Sequence, residues 1–318
     1  MTDLKKYLLE EVVIDHADGH ISRREALHRL TLMGLGATAA GAMLAGCAAE
    51  KPEAAGAPPA ATSSAPATTS APAATTSATA ASPGPAPGVA TWMPVESVTF
   101  PGPDGRKLQG SWAPASKPRG AVLVIHENKG LTDHFRAFPG RFAGAGYSAL
   151  AIDLLSEEGG TAALGEAANA TAALSKVAPE RFLADLRAGL DELAKRAPGV
   201  KLGAIGFCFG GGMTWRLAAS KDPRLAAAAP FYGPLPDGAD FTGSKAAVLG
   251  VFAEKDARVN ASRDAAKAAL EKAGLTHEIV TFPDSDHAFF NDTGPRYAPE
   301  VAAKAWAKVL EWFGRHLG

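Results

Sequence analysis

Seven consecutive residues constrain this chain more than any others: Gly206-Phe207-Cys208-Phe209-Gly210-Gly211-Gly212. The apolar run 200–205 before them reads as a buried strand, and 213–219 after them reads as a helix without Gly or Pro. A strand, a glycine-crowded turn and a helix put Cys208 on a G-x-C-x-G elbow, the thiol form of G-x-S-x-G. Glycines flank the elbow because its backbone is strained and the helix must pass close to the strand. The sulfur then stands at the top of a sheet and at a helix N-terminus, where partial positive charge favours thiolate. A structural cysteine buried in a βα turn would carry the same motif, so the rest of the chain must decide.

Downstream of Trp92, strands and helices alternate, which specifies an α/β fold with a mostly parallel sheet flanked by helices. A hairpin is expected over 95–100 and 107–112, around Pro103-Asp104-Gly105. The continuous apolar run 121–125 fits a strand buried on both faces. A helix at 135–145, a strand at 147–152 and a helix at 179–196 lead to the elbow strand. Strands at 225–232, 246–253 and 277–282 follow, with helices at 261–273 and 299–315. The Gly- and Ala-rich segment 156–176 is weakly patterned and is expected to cover the site as a lid.

Upstream the composition changes twice. Residues 1–46 carry a twin arginine, Arg23-Arg24, an apolar run over 30–45, and Leu44-Ala45-Gly46-Cys47. That combination reads as a twin-arginine export signal ending in a lipobox, with Cys47 acylated after cleavage. Ala26 stands where the twin-arginine pattern usually has Phe, and Tyr7, Leu8 and Val12 have helical spacing, so an amphipathic N-terminal helix is the competing reading. Residues 47–92 are Ala, Pro, Ser and Thr with few aromatic or branched side chains, and read as a disordered tether. The folded domain is expected over 93–318, in a lipoprotein facing the periplasm or the cell exterior.

Lys and Arg number 32 against 33 for Asp and Glu. No basic surplus points to nucleic acid, and the two signs balance beyond residue 46. The partner indicated is a small molecule, with the membrane reached only through lipid on Cys47. The histidines are scattered and neither C-x-x-C nor H-E-x-x-H occurs, so no metal and no cofactor are expected.

A nucleophile on an elbow needs a base, and the base needs a group to orient it. Asp256 follows the strand ending at 253 within Glu254-Lys255-Asp256, and His287 follows the strand ending at 282 within Pro283-Asp284-Ser285-Asp286-His287. Both belong to the sheet face where open α/β sheets bind ligands. Glu254 and Asp286 are the weaker candidates for the acid. The strand ending at 125 runs into His126-Glu127-Asn128-Lys129-Gly130, expected to supply one oxyanion N–H from Asn128, the second coming from Phe209. A carboxylate at Glu127 would repel an oxyanion there, so it requires another task.

H-E-N-K-G, G-F-C-F-G-G, F-Y-G at Phe231-Tyr232-Gly233, the aspartate after E-K, and D-H-A-F together resemble the dienelactone hydrolase (carboxymethylenebutenolidase) family over roughly residues 93–318. The resemblance implies an α/β-hydrolase fold and hydrolysis of an ester or lactone through an acyl-thioester. It implies Cys208 as nucleophile, His287 as base, Asp256 as orienter and Glu127 as the group holding the resting thiol. The sequence departs from the family's carboxylate-binding arginines: 153–158 contains none, and Asn291 stands at the second position. Arg136, Arg141 or Arg296 could substitute. A peptidase, or a binding protein that keeps the fold without turnover, are the rival readings.

Overall fold

The computed structural model of the chain describes residues 2–48 and 86–318. Its centre is an eight-stranded sheet: β1 (Glu96–Pro101), β2 (Lys107–Ala113), β3 (Gly120–Ile125), β4 (Tyr147–Asp153), β5 (Leu202–Phe207), β6 (Leu225–Phe231), β7 (Ala247–Ala253) and β8 (His277–Phe282). The spatial order is β1-β2-β4-β3-β5-β6-β7-β8. β2 runs antiparallel to both its neighbours, and every pairing from β4 to β8 is parallel. β3, β4, β5 and β7 are buried along their whole length, in keeping with their largely apolar runs, in which β4 alone carries polar residues, Ser148 and Asp153. From β3 the chain winds first outward to β4 and then back to β5, so the strand order switches beside the C-terminal ends of β3 and β5. Such a switch point opens a crevice for a ligand.

Three N-terminal helices come first in the chain: α1 (Asp3–Ala17), α2 (Arg23–Leu32) and α3 (Ala37–Ala48). The sheet is flanked by α4 (Asp133–Gly144), α5 (Ala167–Leu174), α6 (Pro179–Arg196), α7 (Phe209–Ala219), α8 (Ala257–Asn260), α9 (Arg263–Lys272) and α10 (Pro299–His316). α4 and α10 share one face, where Phe142 meets Trp306 with ring centroids 4.9 Å apart. α6 and α7 pack together on the other. The expected elements are therefore present, with ends that match or differ by at most four residues, as helix and strand ends fray. The segment 156–176 is two 3₁₀ turns, Ser156–Glu158 and Thr161–Leu164, followed by α5. It is pinned by Asp153, whose carboxylate accepts from Leu155 N, Thr161 N and Thr161 Oγ1 at 3.0, 2.7 and 2.8 Å.

Packing of the folded body begins before residue 93. Trp92 Nε1 donates to Ala137 O at 3.0 Å, Met93 N to Gly140 O at 3.0 Å, and Arg141 Nη1 to Pro87 O at 3.4 Å. This stretch of backbone lies against the bare side of α4: a Cβ on Gly144 would stand 1.8 Å from Thr91 O. Residues 49–85 of the expected tether lie outside the described residues, as does the Cys47 side chain.

α1 is capped by Thr2, whose hydroxyl accepts from Lys5 N at 3.2 Å. α2 is capped by Ser22, which accepts from Glu25 N at 3.2 Å in an S-x-x-E pattern. α1 buries Leu4, Tyr7, Leu8, Leu9, Glu11, Val12 and Val13 around most of its circumference, packed on α2 and α3 as well as on the site, and α2 packs on α5. Arg23 and Arg24 are exposed while Ala26 is fully buried. No helix among the described residues is long and apolar enough to cross a membrane.

Gly144→Ala tests the seat of residues 86–93. Helix propensity favours alanine by about 1 kcal/mol, but overpacking against Thr91 O costs about 1–3 kcal/mol. The clash wins at that separation, so thermal unfolding should shift down by roughly 2–8 °C, with faster hydrogen exchange at Met93 N–H.

Candidate active site

Cys208 stands between β5 and α7 with φ 56° and ψ −116°, a conformation that costs a side-chain-bearing residue about 1–3 kcal/mol. It is held there by its N–H on Phe231 O and by Gly212 N–H on its own carbonyl, both at 3.1 Å. The flanking glycines are a steric necessity. A Cβ on Gly206 would fall 2.1 Å from Gly210 O, and one on Gly210 would fall 2.4 Å from Ile125 O. α7 thus crosses the ends of β3 and β5 with no room for a side chain.

β7 delivers Asp256, which caps α8 by accepting from Val259 N at 3.2 Å through Oδ1. Its Oδ2 takes His287 Nδ1 at 2.5 Å. The loop after β8 is tied to the loop after β7 by Lys255 N on Ser285 O at 2.9 Å. Of the other acid candidates, Glu254 accepts from Asp284 N and Asp286 from His287 N, and neither bonds to the His287 ring. A ring nitrogen of His287 lies within 4.8 Å of Cys208 Sγ. The structure therefore brings Cys208, His287 and Asp256 together, all three buried.

The loop after β3 is anchored by His126. Its Nε2 accepts from Leu154 N at 3.1 Å, so Nδ1 carries the proton and donates to Glu127 O at 2.7 Å. Burial holds this imidazole below its usual range, in keeping with the neutral tautomer. Asn128 N and Phe209 N, the two expected oxyanion donors, give no hydrogen bond to any described residue. Phe209 N is the first N–H of α7, free by its position in the helix.

Glu127 is placed differently from the expectation. Its carboxylate accepts from Asn291 Nδ2 at 2.8 Å and from Tyr232 OH at 3.4 Å, and it makes no hydrogen bond to the thiol. Asn291, at the position where the resemblance led one to look for arginine, is thus spent on Glu127. The group on Cys208 Sγ is the hydroxyl of Tyr7, at 3.3 Å. Tyr7 belongs to α1, and one turn later Glu11 puts Oε1 3.5 Å from His287 Nε2 and Oε2 on Arg258 Nη2. The cover on the site is therefore α1, where the segment 156–176 was expected. Neither residue was assigned to the site from the sequence, where Tyr7 figured only in the apolar spacing of a helix and Glu11 not at all. The one signal was a glutamate four residues after a tyrosine, on the stripe that packs inward.

Charge at the site is set by this arrangement. Burial pushes the Cys208 thiol up, and Glu11 pushes it further, against His287. Burial opposes the His287 imidazolium, but Glu11 and then Asp256 hold it well above the usual range. Burial likewise raises the Glu11 carboxyl, while Arg258 and His287 outweigh it and keep it below the ordinary carboxylate range. Glu11, Cys208 and His287 have donor atoms within 4.8 Å of one another, a set that could ligate a metal. Arg258 already takes the Glu11 carboxylate, and a second cation beside that guanidinium would be repelled. Of the arginines named as substitutes, Arg141 is paired with Asp292 at 2.7 Å, Arg136 gives Nη2 to Leu131 O at 3.4 Å, and Arg296 holds Asp15 and Asp18 of the N-terminal segment at 3.0 and 2.8 Å.

Comparison with known proteins follows the same geometry. Residues 110–317 match the family model described as "Dienelactone hydrolase family". A protein of Methylorubrum extorquens named "Putative carboxymethylenebutenolidase" is 32% identical over 217 residues, which span 63% of this chain and 73% of that one. The crystal structure of a "Putative Dienelactone Hydrolase" from Klebsiella pneumoniae superposes with a TM-score of 0.61 at 29% identity, covering 70% of this chain and 100% of that one. The dienelactone hydrolase of Anabaena variabilis shares the fold, with a TM-score of 0.58 at 21% identity over 71% and 99% of the two chains.

The raised thiol has a measurable sign. A thiol whose pKa is raised carries less thiolate than a free cysteine at every pH below that pKa, and the thiolate is the form that is alkylated. Alkylation of Cys208 by iodoacetamide in the full chain should therefore run at least about tenfold slower than that of free cysteine at about pH 7.5. Its rate should climb with pH past the ordinary cysteine range. Equal rates would show that the thiol is neither buried nor opposed by Glu11 in solution.

Proposed function

The chain belongs to the dienelactone hydrolase family and is a hydrolase of ester or lactone bonds, which we propose it opens through Cys208 by way of an acyl-thioester. The observation that carries this reading is Cys208 on its strained elbow within reach of a His287 whose other nitrogen is fixed by Asp256 at 2.5 Å. In the open site His287 Nε2 takes the thiol proton as the sulfur attacks the carbonyl carbon. The oxygen becomes an oxyanion received by Phe209 N–H and Asn128 N–H. Collapse breaks the C–O bond, and the leaving alkoxide takes the proton back from His287. Water, deprotonated by the same nitrogen, then attacks the thioester and releases the acid and the thiol. For a lactone the leaving alcohol stays attached, and the product is a hydroxy acid.

Asp256 acts by position: it fixes the tautomer that leaves Nε2 free and stabilises the imidazolium that forms. Glu127 serves in this reading as a wall of the site, joined to Asn291 and Tyr232. An acid group on the substrate must be met by an arginine other than the two whose places are vacant of one here.

The same reading extends to where the protein works. The exposed Arg23-Arg24 pair, the apolar run after it and Leu44-Ala45-Gly46-Cys47 support an exported lipoprotein anchored through acylated Cys47. Metabolic labelling with palmitate tests it: wild type should take up label and partition into detergent, and Cys47→Ser should do neither.

Hydrolysis of p-nitrophenyl acetate tests the chemistry. Cys208→Ala and His287→Ala should each lose turnover by about 10³-fold or more, and the double variant should lose little beyond either alone. Asp256→Asn should cost less. Activity of Cys208→Ala within a tenth of wild type would refute the thioester route.

A further inference from the structure

As described, the site is shut. Cys208 is 2% exposed, and a carbonyl carbon must come within about 3–3.5 Å of the sulfur to be attacked. The Tyr7 hydroxyl occupies that approach at 3.3 Å. A cavity of about 460 Å³ lies beside it, lined by Leu4, Tyr7, Phe209, Arg216, Pro234 and Arg258 among others. It ends at the Tyr7 side of α1, without Cys208 in its wall. α1 therefore stands between that cavity and the thiol.

α1 is held down by the apolar side chains it buries, Leu8, Leu9 and Val12 among them, and by charge of a particular kind. Asp3 pairs with Arg216, Glu11 with Arg258, and Asp15 and Asp18 with Arg296. Arg258 is the informative member. Every hydrogen bond its guanidinium makes to a described residue goes to α1: Nη2 to Glu11 and Nη1 to Tyr7 O at 3.0 Å. The guanidinium also lies over the Tyr7 ring at 4.1 Å, and its Nε is enclosed without any partner among the described residues. An enclosed arginine whose hydrogen-bonded counterion comes from a removable helix is an anion site in waiting. The carboxylate now in it stands 3.5 Å from His287 Nε2, next to where the acyl group would react.

We propose that α1 is an intramolecular competitor of the substrate, with Glu11 occupying the place where Arg258 takes an anionic group of the ester or lactone. This rests on the hydrolase reading above and adds a gate and an anchor to it. With α1 seated, Tyr7 blocks the sulfur, and Glu11 stabilises the imidazolium of His287, which then has no free lone pair for the thiol proton. With α1 displaced, Cys208 and His287 are released and Arg258 needs a new anion. A substrate bearing a carboxylate supplies it and so competes directly with Glu11, whereas a neutral ester only reaches molecules already open. If residues 1–46 are removed at Cys47, the competitor leaves with them, and the precursor is the restrained form.

Full-chain variants test this through two readouts, iodoacetamide capture of Cys208 and ester hydrolysis. If the closed form outnumbers the open one by tenfold or more, Tyr7→Ala/Glu11→Ala should raise both alkylation and p-nitrophenyl acetate kcat/KM by about tenfold or more. Asp3→Lys, which reverses an anchor at the rim and leaves Tyr7 and Glu11 in place, should raise them in the same direction. His20→Ala, exposed beyond the end of α1, should change neither. Arg258→Gln should also speed alkylation, yet raise KM for 4-nitrophenyl hydrogen succinate relative to the acetate ester. Thermal midpoints within a few degrees of wild type separate opening from unfolding. Unchanged alkylation in the α1 variants would overturn the gate. Faster alkylation with slower hydrolysis would also overturn it, making Tyr7 or Glu11 a participant in the reaction. An undiminished succinate preference in Arg258→Gln would overturn the anion site. Alkylation reads access to the sulfur whether or not Cys208 is the nucleophile, so this test can fail or succeed separately from the thioester route.

Discussion

The close approach of α7 to the ends of β3 and β5 is the constraint on which the rest of the site depends. Because Gly206 and Gly210 leave no side chain in the way, the helix starts almost on top of the sheet and forces Cys208 to φ 56°. That backbone cannot relax without moving α7, whose N-terminal turn is locked by Cys208 N–H on Phe231 O. The strained turn sets the sulfur at the start of α7, beside a Phe209 N–H that has no partner among the described residues. A looser turn would not hold the thiol beside His287 and the start of α7.

Around that point the molecule balances buried charges in a short chain: Asp256, His287, Glu11, Arg258. Each is sheltered from water, and each is tolerable only because the next has the opposite sign. The order matters. Asp256 belongs to the sheet and is fixed, so His287 is always oriented. Glu11 belongs to α1 and can leave, so the charge on His287 and the counterion of Arg258 are conditional. A permanent pair and a removable one thus share a single imidazole. The removable one decides whether Nε2 is a base or a cation.

The same contrast explains why Glu127 does not hold the thiol. A carboxylate bonds to the best donors within reach, and Asn291 Nδ2 at 2.8 Å and Tyr232 OH offer two. With an arginine at position 291 the local charge would be different; with asparagine, the amide turns inward to the glutamate. Asn291 therefore bears on two expectations: it is not the arginine that the resemblance implied, and it gives Glu127 a structural partner.

Much of this was legible in the chain itself. The elbow, the order Cys208, Asp256, His287, and the strand–helix alternation are local patterns, since each depends on spacing along a few residues and on strand ends that the apolar runs mark. The glycine requirement could be read for the same reason. What the sequence could not settle is anything decided by which distant surfaces meet. Residues 1–46 carry signals that read as an address, and helical spacing within 7–13 showed only that one face of α1 is apolar. That this helix lies on Cys208, some two hundred residues away, depends on where its apolar side chains find cover and on ion pairs to Arg216, Arg258 and Arg296, which no periodicity reveals. The role of Arg258 was hidden likewise: two residues before it stands the acid that orients His287, while its counterion is Glu11. Local order determined which groups could react; the tertiary packing alone determined what stands in front of them, because a counterion is chosen by proximity in space.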